Sequence, residues 1–220
     1  MSRKPVIKGL YAITPDELNT AELLRKTRLV LQGGASVLQY RNKLATGDLQ
    51  LEQARALRQL TREFDTTFIV NDDARLALQA DADGVHLGGE DGSVAAAREI
   101  LGRAKIIGVS CYNRAPLATE AEKQGADYVA FGAFFPSGIK PDAVRAEPGL
   151  LEWARQKLDV PLVAIGGITP GNGAALVQAG ADALAVISAV FDAADIQSSA
   201  QEFSTLISKV RHDISKSNVI

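Results

Sequence analysis

The 220-residue sequence contains little of what several classes of protein require. It has one cysteine, Cys111, and two histidines. A single thiol can form neither an internal disulfide nor a thiolate metal site, which points to a reducing compartment. The net charge is −2 and acidic and basic residues are interspersed, so the chain lacks the basic face or tail that is typical of nucleic-acid-binding proteins.

Long hydrophobic runs are also absent. The longest apolar segment, residues 183–191, is interrupted by Ser188 and is far shorter than the roughly 20 residues of a membrane-spanning helix. The first residues do not include the apolar stretch of a secretory signal peptide. We therefore expect a cytoplasmic protein whose partners are small molecules, with no nucleic acid and no membrane, and a homo-oligomer is left open.

What the sequence does contain is an alternation of short β-branched apolar runs with longer segments of helical spacing, such as residues 49–63. Parallel strands need helical crossovers, so this alternation predicts parallel βαβ units. The other clear helical segments are 115–124, 150–158 and 170–179. The predicted strands are 10–14, 36–40, 67–70, 84–87, 106–109, 128–131, 162–165 and 183–187.

An internal repeat refines this prediction. Four similar segments begin at Gln32, Gln79, Gln124 and Gln178, and each reads as a helix end, a short turn and a strand. They precede the second, fourth, sixth and eighth predicted strands. Two βα units repeated four times close naturally into a (β/α)8 TIM barrel in a single domain, residues 1–220. The alternative is an open doubly wound sheet, but no G-x-G-x-x-G follows the first strand.

Polar side chains follow several predicted strands, which is where the active site of this fold lies. Gln39, Arg41 and Lys43 alternate along the end of the second strand and share one face, which favours an anion site over incidental surface charges. Asp72 and Asp91 follow the third and fourth strands in neighbouring loops. Either could be a helix cap, as we expect for Asp73, but together they suit Mg²⁺, which prefers oxygen ligands.

Three further predictions concern a phosphate site, a lid and the C-terminal tail. Gly166-Gly167 and Ser188 follow the seventh and eighth strands, where phosphate commonly binds in this fold. The long Gly- and Pro-containing segment 132–148 is a candidate lid, with Lys140 as its cation. Residues 209–220 are predicted to form a polar C-terminal tail that frays.

His86 and Cys111 are both predicted to be structural residues. His86 lies inside the fourth strand, where a hydrogen-bonded core histidine is favoured over a catalytic one. Cys111 has no activating base near it in sequence and is interpreted as an inert buried thiol. Ser110, beside it, follows the fifth strand and on its own would say little, because hydroxyls at strand ends often cap helices.

Eight stretches, in order along nearly the whole chain, resemble the thiamine-phosphate synthase family. They are GLYAIT (9–14), LQYRNK (38–43), IVND (69–72), GVHLGGED (84–91), IGVS (107–110), FFPS (134–137), AIGGI (164–168) and VISA (186–189). The resemblance implies a Mg²⁺-dependent transferase that joins a hydroxymethylpyrimidine pyrophosphate to a hydroxyethylthiazole phosphate and releases pyrophosphate. It also implies that the pyrimidine C–O bond breaks first and that the thiazole nitrogen captures the carbocation.

The resemblance further implies a role for each matching residue. The pyrimidine pyrophosphate would be held by Gln39, Arg41, Lys43, Asn71, Ser110 and Lys140, of which Arg41, Ser110 and Lys140 are the expected catalytic residues. The thiazole phosphate would be held by Ser137, Gly167, Ile187 and Ser188, and Mg²⁺ by Asp72 and Asp91. One departure is that the family's Thr-x-Thr before the lid lysine is Ser137-Gly138-Ile139 here. We expect this to weaken thiazole-phosphate binding rather than abolish activity.

Three rival functions differ from this one in the residues or behaviour that they would require. A thiazole tautomerase would share the barrel and the phosphate loops but would not need the Gln39, Arg41 and Lys43 set together with the two carboxylates. A Schiff-base aldolase would need a desolvated lysine inside a strand, whereas Lys43 and Lys140 follow theirs. A non-catalytic sensor of thiamine phosphate would still bind its ligand after Asp72→Ala, whereas an enzyme would lose Mg²⁺-dependent turnover.

Overall fold

The computed structural model describes residues 7–89, 91–136 and 144–217. They contain eight parallel strands in a closed barrel, in which each strand pairs with its neighbours in sequence and the last pairs with the first. This confirms the predicted (β/α)8 barrel and excludes the open sheet. The strands are β1 (Gly9–Ile13), β2 (Val37–Tyr40), β3 (Thr67–Asn71), β4 (Gly84–Leu87), β5 (Ile106–Tyr112), β6 (Tyr128–Phe131), β7 (Leu162–Ile165) and β8 (Ala183–Val186).

Helices follow each strand and surround the barrel. Several begin at a side-chain cap: Asn19 accepts the Glu22 N–H before the first helix, and the Asp73 carboxylate accepts two backbone N–H groups, which confirms its capping role. The helices are α1 (Thr20–Gln32), α2 (Gly47–Glu63), α3 (Ala74–Gln79), α4 (Val94–Leu101), α5 (Ala115–Lys123), α6 (Gly149–Lys157), α7 (Gly173–Gln178), α8 (Ser188–Phe191) and α9 (Ile196–Ser217). Among the described residues, no helix combines the length and the apolar composition needed to cross a membrane.

The core has two layers because successive strand residues point to opposite faces. In β3, Ile69 belongs to the cluster that fills the barrel, whereas Phe68 and Val70 pack between the strands and the helices. All three side chains are fully buried. Burial on both faces explains why the strands read as continuous apolar runs rather than alternating ones.

The internal repeat has a structural meaning at the amino-terminal end of the barrel. In three copies, an aspartate stands just before a strand and its carboxylate accepts a backbone N–H from the preceding strand. The same carboxylate pairs with an arginine on the helix that precedes that strand. We call these units the aspartate staples; all their N···O distances to the backbone and to the arginine are 2.8–2.9 Å. They are Asp83 with Phe68 and Arg58, Asp127 with Ile107 and Arg98, and Asp182 with Leu162 and Arg155.

The fourth copy of the repeat uses no carboxylate. Ser36 stands before β2 and its hydroxyl donates to the backbone oxygen of Lys8. The Ser204 hydroxyl, on α9, lies within hydrogen-bond distance of the backbone oxygens of Gly33 and Gly34 in the same turn, at 3.0 and 3.1 Å. The repeat is therefore a recurring turn that ties the start of one strand to the start of the strand before it.

The polar tail expected over 209–220 is not what the structure shows for its described part. Helix α9 continues to Ser217. Val210 is buried and Ile214 packs against the core, and with Ile207 they continue the apolar spacing of the helix. The prediction was wrong because the abundance of polar residues hid this sparse stripe.

Candidate functional site

A cavity of about 550 Å³ opens at the carboxyl ends of the strands. All eight strands or the loops after them contribute to its lining, and its volume is in the range of small-ligand sites. Several residues predicted from sequence are brought together there. Those lining the cavity are Gln39, Arg41, Asn71, Ser110, Gly167, Ile187 and Ser188. Ser137, Ile139 and Lys140 lie outside the described residues.

Asp72 and Asp91 lie beside one another after β3 and β4, as their places in neighbouring loops predict. The pKa of Asp72 is raised to about 6, mainly by burial and also by the adjacent Asp91 carboxylate. The positive charges of Lys43 and Arg41 act in the opposite direction and lower it. The Asp91 carboxylate accepts the N–H of Gly88 at 2.7 Å. The Asp72 carboxylate, whose charge is disfavoured by burial and by its neighbour, forms with Asp91 a donor set that a hard divalent cation would stabilise.

The described residues contain no group of three or more His, Cys, Asp or Glu side chains that could hold a metal. A cation at Asp72 and Asp91 would therefore need further oxygen ligands from substrate or water. That is the usual situation for Mg²⁺, which binds through one or two carboxylates and completes its shell with water and phosphate oxygens. The donor set fits this ion.

Arg41 and Lys43 are held in place by the loop after β1. The Arg41 guanidinium pairs with Asp16 at 3.1 Å, and the same carboxylate accepts the backbone N–H of Lys43 at 2.7 Å. The Thr14 hydroxyl accepts the Arg41 N–H and donates to the Arg41 carbonyl oxygen, both at 2.8 Å. Neither Thr14 nor Asp16 is among the site residues predicted from sequence; the predicted first strand ends at Thr14, and Asp16 lies two residues beyond it.

The floor of the cavity is a chain of hydrogen bonds between inward-facing side chains, which we call the floor network. Gln39 bonds to Asn71 and accepts from Tyr11 at 2.8 Å; the Tyr11 and Tyr128 oxygens are 2.7 Å apart. The Tyr128 hydroxyl also lies 2.9 Å from His86 Nδ1, and His86 Nε2 lies 2.8 Å from the Ser110 hydroxyl. His86 is the hydrogen-bonded core histidine that was expected, and its bond to Ser110 also makes it part of the site.

Burial sets the protonation of this floor. It raises the pKa values of Tyr11 and Tyr128 well above the usual range, so both phenols keep their protons. It lowers the pKa of His86 to about 4, so the imidazole is neutral at neutral pH. The Tyr128 ring fits because Gly108 has no side chain: a Cβ there would lie 1.9 Å from the ring. Neither tyrosine is among the site residues predicted from sequence.

The opposite side of the cavity is built from backbone. Gly166 and Gly167 follow β7 with φ values of +105° and +60°, in the left-handed region that glycine tolerates. A Cβ at Gly167 would lie 2.2 Å from the carbonyl oxygen of Pro136. Ile187 and Ser188 stand beside this turn at the start of α8. Exposed backbone N–H groups in such a turn can bind phosphate.

Neither Cys111 nor a strand lysine is placed as a nucleophile by the described residues. Cys111 is buried, and burial raises the pKa of its thiol to about 12, so it is the inert residue expected. None of the eight described strands contains a lysine, and Lys43 is exposed in the loop after β2. The described residues thus offer no desolvated strand lysine for a Schiff base.

Comparison with known proteins agrees with the geometry. A family model described as thiamine monophosphate synthase matches residues 10–190. The thiamine-phosphate synthase of Methylobacillus flagellatus is 56% identical over 202 residues, covering 92% of this chain and 96% of that protein. That of Nitrosomonas eutropha is 54% identical, covering 91% and 94%. A solved structure, the thiamine phosphate pyrophosphorylase of Pyrococcus furiosus, is 39% identical with a TM-score of 0.83, covering 92% and 96%. The chain belongs to the thiamine monophosphate synthase family.

Proposed function

We propose that this chain is a thiamine-phosphate synthase, a transferase. It joins 4-amino-2-methyl-5-(diphosphooxymethyl)pyrimidine to 4-methyl-5-(2-phosphoethyl)thiazole and releases pyrophosphate. The observation that carries the proposal is one cavity with two different sides, each suited to an anion. Arg41, after β2, lines one side, with Lys43 and the Asp72 and Asp91 carboxylates close to it but outside the cavity lining. The glycine turn after β7 and the start of α8 line the other side.

The charged side suits a leaving pyrophosphate. Arg41 and Lys43 supply positive charge, and Asp72 and Asp91 would hold Mg²⁺, which neutralises charge on the pyrophosphate when bound. The C–O bond to the pyrimidine methylene breaks with its electron pair going to pyrophosphate, and the thiazole nitrogen lone pair forms the new C–N bond. That nitrogen carries no proton, so no general base is needed. Stabilising the charge that develops on the leaving group is the main contribution of such a site.

The backbone side suits the phosphate of the thiazole substrate. Gly167, Ile187 and Ser188 line the cavity there and would bind phosphate largely through N–H groups. Roles for Ser137 and Lys140 stay predictions, as does the effect of Ile139. If the missing hydroxyl weakens binding, Ile139→Thr should lower the KM for the thiazole phosphate, and an unchanged KM would contradict that explanation. A cytoplasmic location likewise stays a prediction.

Pyrophosphate release by the purified protein tests the proposal. Release should need both substrates and Mg²⁺, stop in EDTA, and give thiamine phosphate. Asp72→Asn should lower kcat about 100-fold or more, because a bound metal supplies several kcal/mol of charge stabilisation. Asn tolerates the left-handed backbone at this position (φ +65°), so the change should not disturb the loop.

Asp73→Asn is the matched control. It removes the same charge one residue away and keeps the cap of α3, since Asn caps helices as well as Asp. Its kcat should stay close to that of the unaltered protein. No release from folded protein under saturating substrates would refute the synthase and favour the tautomerase or the sensor. Equal activity of the two variants would refute the assigned metal site.

A further inference from the structure

The floor network has a fixed direction, which can be followed from its amide end. Gln39 donates through Nε2 to the Asn71 side-chain oxygen, so its Oε1 is the atom that accepts the Tyr11 hydroxyl proton, with the oxygens 2.8 Å apart. A phenol has one proton. Because Tyr11 donates its only hydroxyl proton to Gln39, its oxygen must accept the Tyr128 hydroxyl proton in the 2.7 Å contact between the two tyrosines.

The same logic continues to the cavity surface. Tyr128 has given its proton to Tyr11, so it accepts from His86 Nδ1 at 2.9 Å, and Nδ1 must carry the ring proton. His86 is buried and its ring nitrogens face two uncharged hydroxyl groups, so the imidazole is neutral, and its unprotonated Nε2 accepts from the Ser110 hydroxyl at 2.8 Å. The Ser110 proton is directed into the floor, and only the lone pairs of its oxygen remain for a ligand.

We propose that Tyr11, Tyr128 and His86 are positioning residues that present Ser110 to the cavity as a hydrogen-bond acceptor. The inference rests on the proposed function and deepens it. A pyrimidine with an amino group can donate to Ser110, whereas an analogue with an oxo group in that place would set oxygen lone pairs against oxygen lone pairs. The floor network thus makes the site select the aminopyrimidine.

Burial keeps this direction fixed. Tyr11, Tyr128 and His86 are 1%, 0% and 8% exposed, so water does not compete for their hydrogen bonds. The His86 and Tyr128 rings also stack, with centroids 5.5 Å apart and an interplanar angle of 24°. In such surroundings an unpaired polar group is costly, and reversing one bond would require reversing all of them.

Nitrogen-15 NMR of histidine-labelled protein reads the direction without any need for turnover. The chain has only two histidines, and the exposed His212 can be assigned by His212→Gln. The expected result is that His86 carries its proton on Nδ1 and has a bare Nε2. A proton on Nε2 in the unaltered protein would overturn the proposal, because Ser110 would then accept from His86 and donate to the cavity.

Two variants extend the test. Tyr11→Phe leaves the Tyr128 proton without an acceptor, so Tyr128 can donate to His86 Nδ1 and the histidine proton should move to Nε2. Tyr128→Phe removes the partner of Nδ1 altogether. Tyr40→Phe is the matched control: its buried hydroxyl donates to Gln53 at 2.8 Å outside the floor network, so the His86 signals should not change. Unaltered His86 signals in Tyr11→Phe would contradict the proposed direction.

Selectivity is the functional readout. The measured quantity is the ratio of kcat/KM for the aminopyrimidine pyrophosphate to kcat/KM for its oxo analogue. In Tyr11→Phe this ratio should fall about tenfold or more, because Ser110 changes from an acceptor to a donor toward the ligand. In Tyr40→Phe the ratio should be maintained. An unchanged ratio in a folded Tyr11→Phe variant whose His86 proton has moved would refute the role in selectivity. Absence of turnover in the unaltered protein would instead refute the proposed function, and the NMR result would still stand or fall separately.

Discussion

The aspartate staple at Asp83 allows a stability prediction with a built-in comparison. Its carboxylate accepts two hydrogen bonds from Arg58, at 2.8 and 2.9 Å, and the backbone N–H of Phe68 at 2.8 Å. The Arg58 and Asp83 side chains are only 15% and 19% exposed. Asp83→Asn keeps the shape but removes the charge and turns an amide donor toward other donors. Breaking a fully buried pair costs about 3–5 kcal/mol, so with this residual exposure we expect a loss of about 2–4 kcal/mol.

Asp81→Asn is the comparison two residues away. Asp81 pairs with Arg62 at 2.6 Å and with Lys105 at 2.8 Å, but its side chain is 62% exposed. Exposed pairs contribute about 0–1 kcal/mol, and Asn tolerates the left-handed backbone at this position (φ +51°).

Differential scanning calorimetry separates the two variants. A chain of this size loses about 2–4 °C of Tm per kcal/mol, so we expect a fall of about 4–16 °C for Asp83→Asn and at most about 4 °C for Asp81→Asn. Similar shifts in both variants would refute the reasoning that burial, rather than the presence of an ion pair, gives the staple its stabilising effect.

Three further outcomes are expected. Because burial raises the pKa of Cys111 to about 12, a thiol reagent at pH 8 should label the protein only in denaturant, and rapid stoichiometric labelling of native protein would contradict this. Gly108→Ala would place a Cβ 1.9 Å from the Tyr128 ring and should lower the urea midpoint markedly; an unchanged midpoint would show that the ring can move. In EDTA, the pKa of Asp72 is raised from its ordinary 3.8 to about 6, so the folded state binds this proton more tightly than the unfolded state. Its contribution to stability should therefore be present below about pH 4 and be lost as pH rises through 6, and Tm curves of Asp72→Asn and the unaltered protein that stay parallel from pH 4 to 7.5 would contradict it.

Most of the fold could be predicted from sequence because a parallel strand buried on both faces is an unbroken apolar run. Such a run stops where burial stops, so the predicted bounds of β4, β6 and β7 are the same as those in the structure. The prediction ended β5 at Val109, whereas the strand continues to Tyr112. There the register shifts between Ser110 and Tyr112, and the polar residues at the cavity hide a strand that still pairs with β6.

The candidate site was predicted in part, and for a definite reason. The fold rule that chemistry lies at strand ends predicted Arg41 and Ser188, because these residues follow apolar runs, whereas a role for Ser110 came only from the family resemblance. It could not find the floor network, since Tyr11 and Tyr128 are 117 residues apart and look like core residues inside their strands. Only a closed barrel brings their hydroxyl groups together.

The aspartate staples and the cavity lie at opposite rims of the barrel, and this separation has an evolutionary consequence. Substitutions in the loops after the strands can alter which ligand is bound while the ionic closure of the other rim is untouched. Loop sequences at the cavity rim can therefore diverge while the ion pairs at the other rim stay the same, so a change of substrate does not first require a gain in stability.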